Sequence, residues 1–286
     1  MFPLRAETPF AAALWTTALF AGATVAAVVA VTAAGALPAL SAVGILPFAS
    51  DASWHPTAGQ FNLLPMLVGT LTVSLGALLL AGPVGIISAI FCNYYARGWP
   101  AASYRLLLRA LAGVPSVVFG LWGLVVLVPL IAAVRPPGAR LLAGTMVLAL
   151  MILPTVAVVA ESAIAQVSPT LFRGGCALGI PRHKAIVKVV LPAARSGLSA
   201  ALVLALGRAL GETMAVLMVT GNVVQVPGSL FDPVRTLAAN IALEMAYAMD
   251  VHRSALFVSG LVLTFLVGVV LVAAERLSQS EGHHVD

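Results

Sequence analysis

The amino-acid sequence predicts an all-α, polytopic membrane protein with six transmembrane helices, on three observations. Of 286 residues 61% are hydrophobic and only 9% charged, at a mean hydropathy of +1.06, whereas a soluble globular domain carries roughly a quarter of its residues as Asp, Glu, Lys and Arg. Apolar runs long enough to cross ~30 Å of hydrocarbon, about 20 helical residues, recur six times along the chain. No run alternates apolar and polar side chains over about ten positions, as the strands of a membrane barrel would. A soluble fold is excluded, because there is too little charge to solvate its surface.

The runs fall near Phe10–Ala34, Leu64–Cys92, Tyr104–Val134, Leu141–Ala165, Ser196–Thr220 and Ser254–Ala274. The first is longer than the apolar core of a signal peptide. Despite the small-residue stretch Ala39-Leu40-Ser41-Ala42, it reads as an uncleaved anchor. This divides the chain into an N-terminal anchor helix with its external loop over 1–63, a core over 64–276 and a tail over 277–286. Pro65, Pro83, Pro115, Pro129 and Pro154 each remove a backbone donor inside a run and bend its helix. Gly82-Pro83 and Gly113-Val114-Pro115-Ser116 are the sharpest interruptions, of the kind found in transporters, although simple packing kinks would also explain them.

Orientation follows from the basic residues between the runs. With the N-terminus inside, the inner segments collect Arg5, Arg97, Arg105, Arg109, Arg173, Arg182, Lys184, Lys188, Arg195 and Arg276, and the outer ones keep Arg135, Arg140, Arg235 and Arg253. Both termini are therefore expected in the cytoplasm, as in a multi-pass protein of a bacterial inner membrane. Arg135 and Arg140 flank the outer turn Pro136-Pro137-Gly138 and support the assignment least. The formal charge of +5 is explained by these orienting residues and gives no reason to expect nucleic-acid binding. Cys92 and Cys176, both on the inner side, are expected as reduced thiols.

Motifs for chemistry are missing. There is no Gly-x-x-x-x-Gly-Lys-Ser/Thr phosphate loop, so the chain alone is not expected to hydrolyse ATP. The histidines, His55, His183, His252 and His283-His284, show no metal-ligand spacing, and no Gly-x-Ser-x-Gly elbow is present. Neither an enzyme nor a cofactor is expected.

The inner connection Gln166–Arg195 carries five of the basic residues. Ser168-Pro169 is a helix start, with an oxygen at the N-cap and proline at the first position, and Gly179 with Pro181 stops that helix. A second helical stretch is expected from Arg182 to Val190, ending at Leu191-Pro192. There Ile186, Val187, Val189 and Val190 would pack inward, leaving Arg182, Lys184 and Lys188 wet. A basic loop that only sets orientation is the plainer alternative.

Gly179, then nine residues, then Val189-Val190-Leu191-Pro192 resembles the loop of ABC-importer permeases whose pattern is Glu-Ala-Ala, three residues, Gly, nine residues, Ile-x-Leu-Pro. Arg173-Gly174-Gly175 stands where Glu-Ala-Ala would, and Val189 replaces Ile. Three further segments, Leu111–Gly123, Met151-Ile152-Leu153-Pro154-Thr155 and Gly207-Arg208-Ala209-Leu210-Gly211-Glu212-Thr213-Met214-Ala215-Val216, are similar to the PstC-type permeases of phosphate ABC importers, as is Leu237–Met245. The resemblance implies a type I ABC-importer permease fold. It implies a subunit working with a second, PstA-type permease, two ATPase subunits, an external phosphate-binding protein, phosphate and the surrounding lipid. It also implies ATPase coupling through the loop over 166–195, with Arg173, Gly179, Arg182, Lys184, Leu191 and Pro192. A permease for another oxyanion, or a self-sufficient secondary transporter or channel, is the alternative.

Arg208 and Glu212 sit within an otherwise apolar run, where each charge costs ~2.5–3.5 kcal/mol at mid-bilayer. On one continuous helix the i, i+4 spacing puts them on a shared face, beside the small-residue stripe of Gly207 and Gly211. Two readings stay open: an ion pair that satisfies itself and fixes register, or an anion contact at Arg208 on the transport path with Glu212 holding its guanidinium. The resemblance favours the second. The outer stretch Val234–Met249, with Glu244 inside it, reads as an interfacial or re-entrant helix, either a docking surface for the external protein or a cap on the bundle.

Overall fold

The computed structural model of the chain describes residues 9–96 and 98–280. Arg5, Arg97 and the His283-His284 tail lie outside the described residues. The chain begins with α1 (Pro9–Val43), followed by the short α2 (Pro47–Ser50). A two-stranded antiparallel hairpin follows, β1 (Trp54–His55) with β2 (Gln60–Phe61), turning through Gly59 at φ +71°. Next come α3 (Leu64–Ile90), α4 (Trp99–Ala112), α5 (Ser116–Trp122), α6 (Val128–Val134) and α7 (Leu141–Ala165). The connection over 166–195 holds α8 (Pro169–Ala177), α9 (Arg182–Ala185) and α10 (Leu191–Ala193). The last elements are α11 (Arg195–Leu210), α12 (Met214–Val219), α13 (Leu237–Glu244) and α14 (Asp250–Ser280). Single π-turns link α3 to its end at Tyr95, α5 to α6, and α9 to α10.

The core is built on α3 and α7, whose apolar faces meet along their lengths with α11 laid across them. Small residues set the spacing: a side chain at Gly85 would come within 2.7 Å of Val156, so the two helices touch there at van der Waals distance. A second cluster joins α1, the hairpin, α13 and the start of α14. The Ser254 hydroxyl inserts into the helical ladder of α1, donating to the Gly35 carbonyl at 2.6 Å and accepting the Ala39 N–H at 2.9 Å. That substitution of a hydroxyl for a backbone bond ties the first helix to the last and keeps both backbone groups paired in an apolar setting.

Among the described residues five helices are long and apolar enough to span a membrane, and a sixth is counted only if α9–α10 and α11, bent by 74° at Ala194, are taken as one broken span. Two expected spans need correction. The run Tyr104–Val134 is not one helix, because α4 ends at Gly113 and α5 starts after Pro115 in an extended conformation. Proline at 115 lacks an N–H and forces Val114 out of the helical region. Only Ser116–Val134 is a spanning segment, and α4 with Arg105 and Arg109 is amphipathic. The run Ser196–Thr220 is likewise two helices, α11 and α12, broken over Gly211-Glu212-Thr213.

Candidate functional site

Arg208 lies in the last turn of α11, where the helix dipole favours a cation. Gly211 follows as the C-cap, and the Glu212 N–H donates to the Ala209 carbonyl three residues back at 3.2 Å, so the α-helical ladder ends there. The expected i, i+4 pair therefore does not form: among the described residues no ion pair joins Arg208 to Glu212. Glu212 Oε1 instead accepts the Ala215 N–H at 3.1 Å, capping the start of α12, while the Thr213 hydroxyl donates to the Gly211 carbonyl at 3.3 Å. The carboxylate is taken by a donor that exists only because the helix restarts. Arg208 Nη1 donates to Thr155 Oγ1 on α7 at 3.2 Å, and the side chain is exposed on this chain. Sequence reasoning placed Thr155 in a motif but gave it no role. Gly207 faces Leu271 of α14, at ordinary contact distance for an added side chain.

In the connection over 166–195 Ser168 caps α8, accepting from the Thr170 N–H, and Gly179 makes the turn at φ +80°. The second stretch is helical through Ala193 rather than stopping at Leu191-Pro192, because proline is tolerated in the first turn of α10. Ala185, Ile186 and Val190 are buried, but Val187 is 59% exposed and does not pack inward as expected. Arg173, Lys184 and Pro192 are exposed, and Leu191 is half-buried against the end of α7 and the start of α11. Arg182 is exposed yet anchored, donating from Nη2 to the Tyr94 carbonyl at 3.1 Å. Beside it the Tyr94 and Phe172 rings lie 4.8 Å apart, so the loop is clamped to the C-terminal end of the α3 span. Gly175, in place of the pattern's second alanine, faces Ala185 and Val189 at distances an alanine would also fit.

Two polar clusters were not legible as such in the sequence. Arg105 pairs with Glu161 of α7 and donates from Nη2 to the Cys92 carbonyl at 3.0 Å, fixing α4 against the core. On the opposite side Glu244 of α13 is 7% exposed and takes three donors. Its Oε1 accepts from Arg235 Nη1 at 2.7 Å, and its Oε2 lies 2.8 Å from Trp54 Nε1 and 2.9 Å from His252 Nε2. Arg235 also donates to the Asn222 carbonyl and to Asn240 Oδ1. The stretch over 234–249 is thus pinned through Glu244 to the hairpin and to α14. Arg140 is buried, donating from Nη1 to the Phe231 carbonyl at 2.8 Å and from Nη2 to the Pro136 carbonyl. Arg135 and Arg140 both stack over the Phe231 ring, so this part of the basic pattern is also structural. In the same loop the Gly228 and Ser229 N–H groups each donate to Asp232 Oδ2 at 2.8 Å and hold its carboxyl below the usual range.

Residues 81–280 match the family described as binding-protein-dependent transport system inner membrane component. A probable ABC transporter permease protein, YqgH of Bacillus subtilis, is 38% identical over 237 residues, covering 81% of this chain and 77% of that protein. The phosphate transport system permease protein PstC of Xylella fastidiosa is 34% identical over 261 residues, 82% of this chain and 81% of its own. Among solved structures, a bacterial alginate ABC transporter in complex with a periplasmic protein superposes at a TM-score of 0.66, with 16% identity over 93% of this chain and 94% of that chain. The inward-facing MetNI methionine ABC transporter superposes at 0.59, with 17% identity over 77% and 94%. At those identities the structures bear on the fold alone, and the fold is that of an ABC-importer permease.

Proposed function

This chain belongs to the family of binding-protein-dependent transport system inner membrane components, and on that premise we propose that it is the permease subunit of an ATP-driven phosphate importer, forming half of the translocation pathway. It is a multi-pass inner-membrane protein and not an enzyme; ATP hydrolysis belongs to a separate subunit. Its PstC relatives support phosphate as the substrate. A PstA-type second permease, two cytoplasmic ATPases and an external phosphate-binding protein complete the assembly, with both termini in the cytoplasm. The loop over 166–195 meets the ATPase through Arg173, Gly179, Lys184, Leu191 and Pro192, while Arg182 holds that loop on the core.

The observation that carries the reading is the state of Arg208. Its guanidinium stands exposed at the end of an apolar helix, and its carboxylate neighbour in sequence caps another helix instead of cancelling it. A planar guanidinium can offer two N–H groups to two oxygens of a phosphate. Glu212 keeps a negative charge close along the chain, which opposes tight capture of an anion that must move on.

The test is phosphate uptake by cells carrying Arg208→Gln. We expect uptake to be abolished while the assembled complex is recovered at its usual yield. The exchange Arg208→Glu with Glu212→Arg is expected not to rescue uptake, because position 212 lies beyond the helix and cannot present the cation to the same place. Full uptake in Arg208→Gln, or full recovery in the exchange, would remove Arg208 from the pathway.

A further inference from the structure

The threonines of the apolar helices share a habit. Thr24, Thr32, Thr70, Thr72, Thr220 and Thr264 each donate the hydroxyl proton to the carbonyl four residues back. The habit has a physical cause, since a hydroxyl among apolar neighbours needs an acceptor and its own helix supplies one. Two threonines of α7 depart from it. Thr145 is buried in the contact with α3, its methyl filling the space beside Gly76. Thr155 departs in a different way: its oxygen accepts from Arg208 Nη1 at 3.2 Å, and among the described residues its proton has no acceptor. The side chain is half-buried, and the guanidinium bonded to its oxygen belongs to the exposed Arg208. Proline at 154 precedes it inside α7, at the end of the motif Met151-Ile152-Leu153-Pro154-Thr155.

We propose that Thr155 is a second contact for the transported oxyanion, its hydroxyl donating to one oxygen while Arg208 donates to another. The inference rests on the reading of Arg208 as an anion contact. One hydroxyl can accept from the guanidinium and donate outward at the same time, and polarisation by the cation strengthens the donated bond. The two donors come from different helices, α7 and α11, so the pair is assembled by tertiary packing and changes whenever those helices shift. A tetrahedral oxyanion presents its oxygens with acceptor lone pairs in several directions and can take both donors together.

The experiment compares phosphate uptake by cells carrying Thr155→Val, Thr155→Ala and Thr155→Ser in the full complex, with complex yield measured for each. In an importer fed by an external binding protein, half-saturation is set mainly by that protein and the maximal rate by the pathway. Thr155→Val is expected to lower the maximal rate at least ~tenfold, the scale of one lost hydrogen bond to a charged group, with half-saturation unchanged. Thr155→Ser, which keeps the hydroxyl, is expected to stay within about twofold of the parent rate. Should Thr155→Val fail to assemble, Thr155→Ala against Thr155→Ser reads the same contrast with less bulk. Parent-level uptake in Thr155→Ala, or equal loss in Thr155→Ser and Thr155→Val at normal yield, would overturn the contact. Either result alongside a dead Arg208→Gln leaves the Arg208 reading intact, whereas full uptake in Arg208→Gln removes both.

Discussion

The Trp54 indole donates to the Glu244 carboxylate at 2.8 Å across 190 residues of chain, joining the hairpin after the first helix to the segment before the last. The same carboxylate holds Arg235 and His252, so one buried acid organises three elements on one side of the bundle. Removing it leaves the Arg235 guanidinium without its ionic partner in a site of low polarity.

Glu244→Ala is expected to destabilise the protein by ~3–5 kcal/mol, the usual cost of stranding one partner of a buried ion pair. Trp54→Phe keeps the ring packed against Phe61 and loses a single bond, costing about 1–2 kcal/mol. Thermal unfolding of the detergent-solubilised complex measures both, and an unchanged transition in Glu244→Ala would show that the cluster does not hold these elements together.

Asp232 gives a pH dependence whose sign is fixed. Two N–H donors stabilise its charged form, so its folded pKa lies below the ordinary carboxylate value of 3.8. The resulting stability is present above that value and is lost as pH falls through the lower folded one. Amide hydrogen exchange at Gly228 and Ser229 should therefore accelerate as pH drops below ~4 relative to intrinsic rates, and Asp232→Asn should show the faster exchange at neutral pH. Identical protection factors in parent and Asp232→Asn at neutral pH would discard this account of the turn.

Gly179 occupies a left-handed conformation with open space around its Cα, so substitution strains the backbone without a clash, by about 1–2 kcal/mol. Gly179→Asp should assemble yet uncouple ATP hydrolysis from uptake, because the turn that sets α8 against α9 is altered and a negative charge enters a basic loop. Normal uptake with normal binding-protein stimulation of ATPase activity would end the coupling role assigned to this turn.

Topology can be read by thiol labelling in sealed cells, in a variant lacking Cys92 and Cys176. His55→Cys, at the exposed position of β1, should react with an impermeant reagent added outside. Lys184→Cys should not react until the membrane is opened. Reaction of Lys184→Cys in sealed cells would reverse the orientation drawn from the basic residues.

The sequence by itself determined the class of the protein, the number of apolar runs, the place of the loop over 166–195 along the chain and the turn at Gly179. Each of these is a local matter: mean hydropathy, helical length against bilayer thickness, and the backbone preference of glycine and proline. It misjudged the helix over 196–220 for an instructive reason. Gly211-Glu212-Thr213 can be read as part of a small-residue stripe, and only packing of α11 and α12 against α5, α7 and α14 makes the break favourable. Tertiary structure alone decided which partners the polar groups took. Glu212 chose a backbone N–H three residues on, Arg208 chose Thr155 at 53 residues' separation, and Glu244 gathered donors from the hairpin, from Arg235 just before α13 and from α14. Periodicity along the chain reports the energy of forming a helix. The partner of a buried charge depends on which donor the finished packing brings within about 3 Å, because an unpaired one would cost its full desolvation.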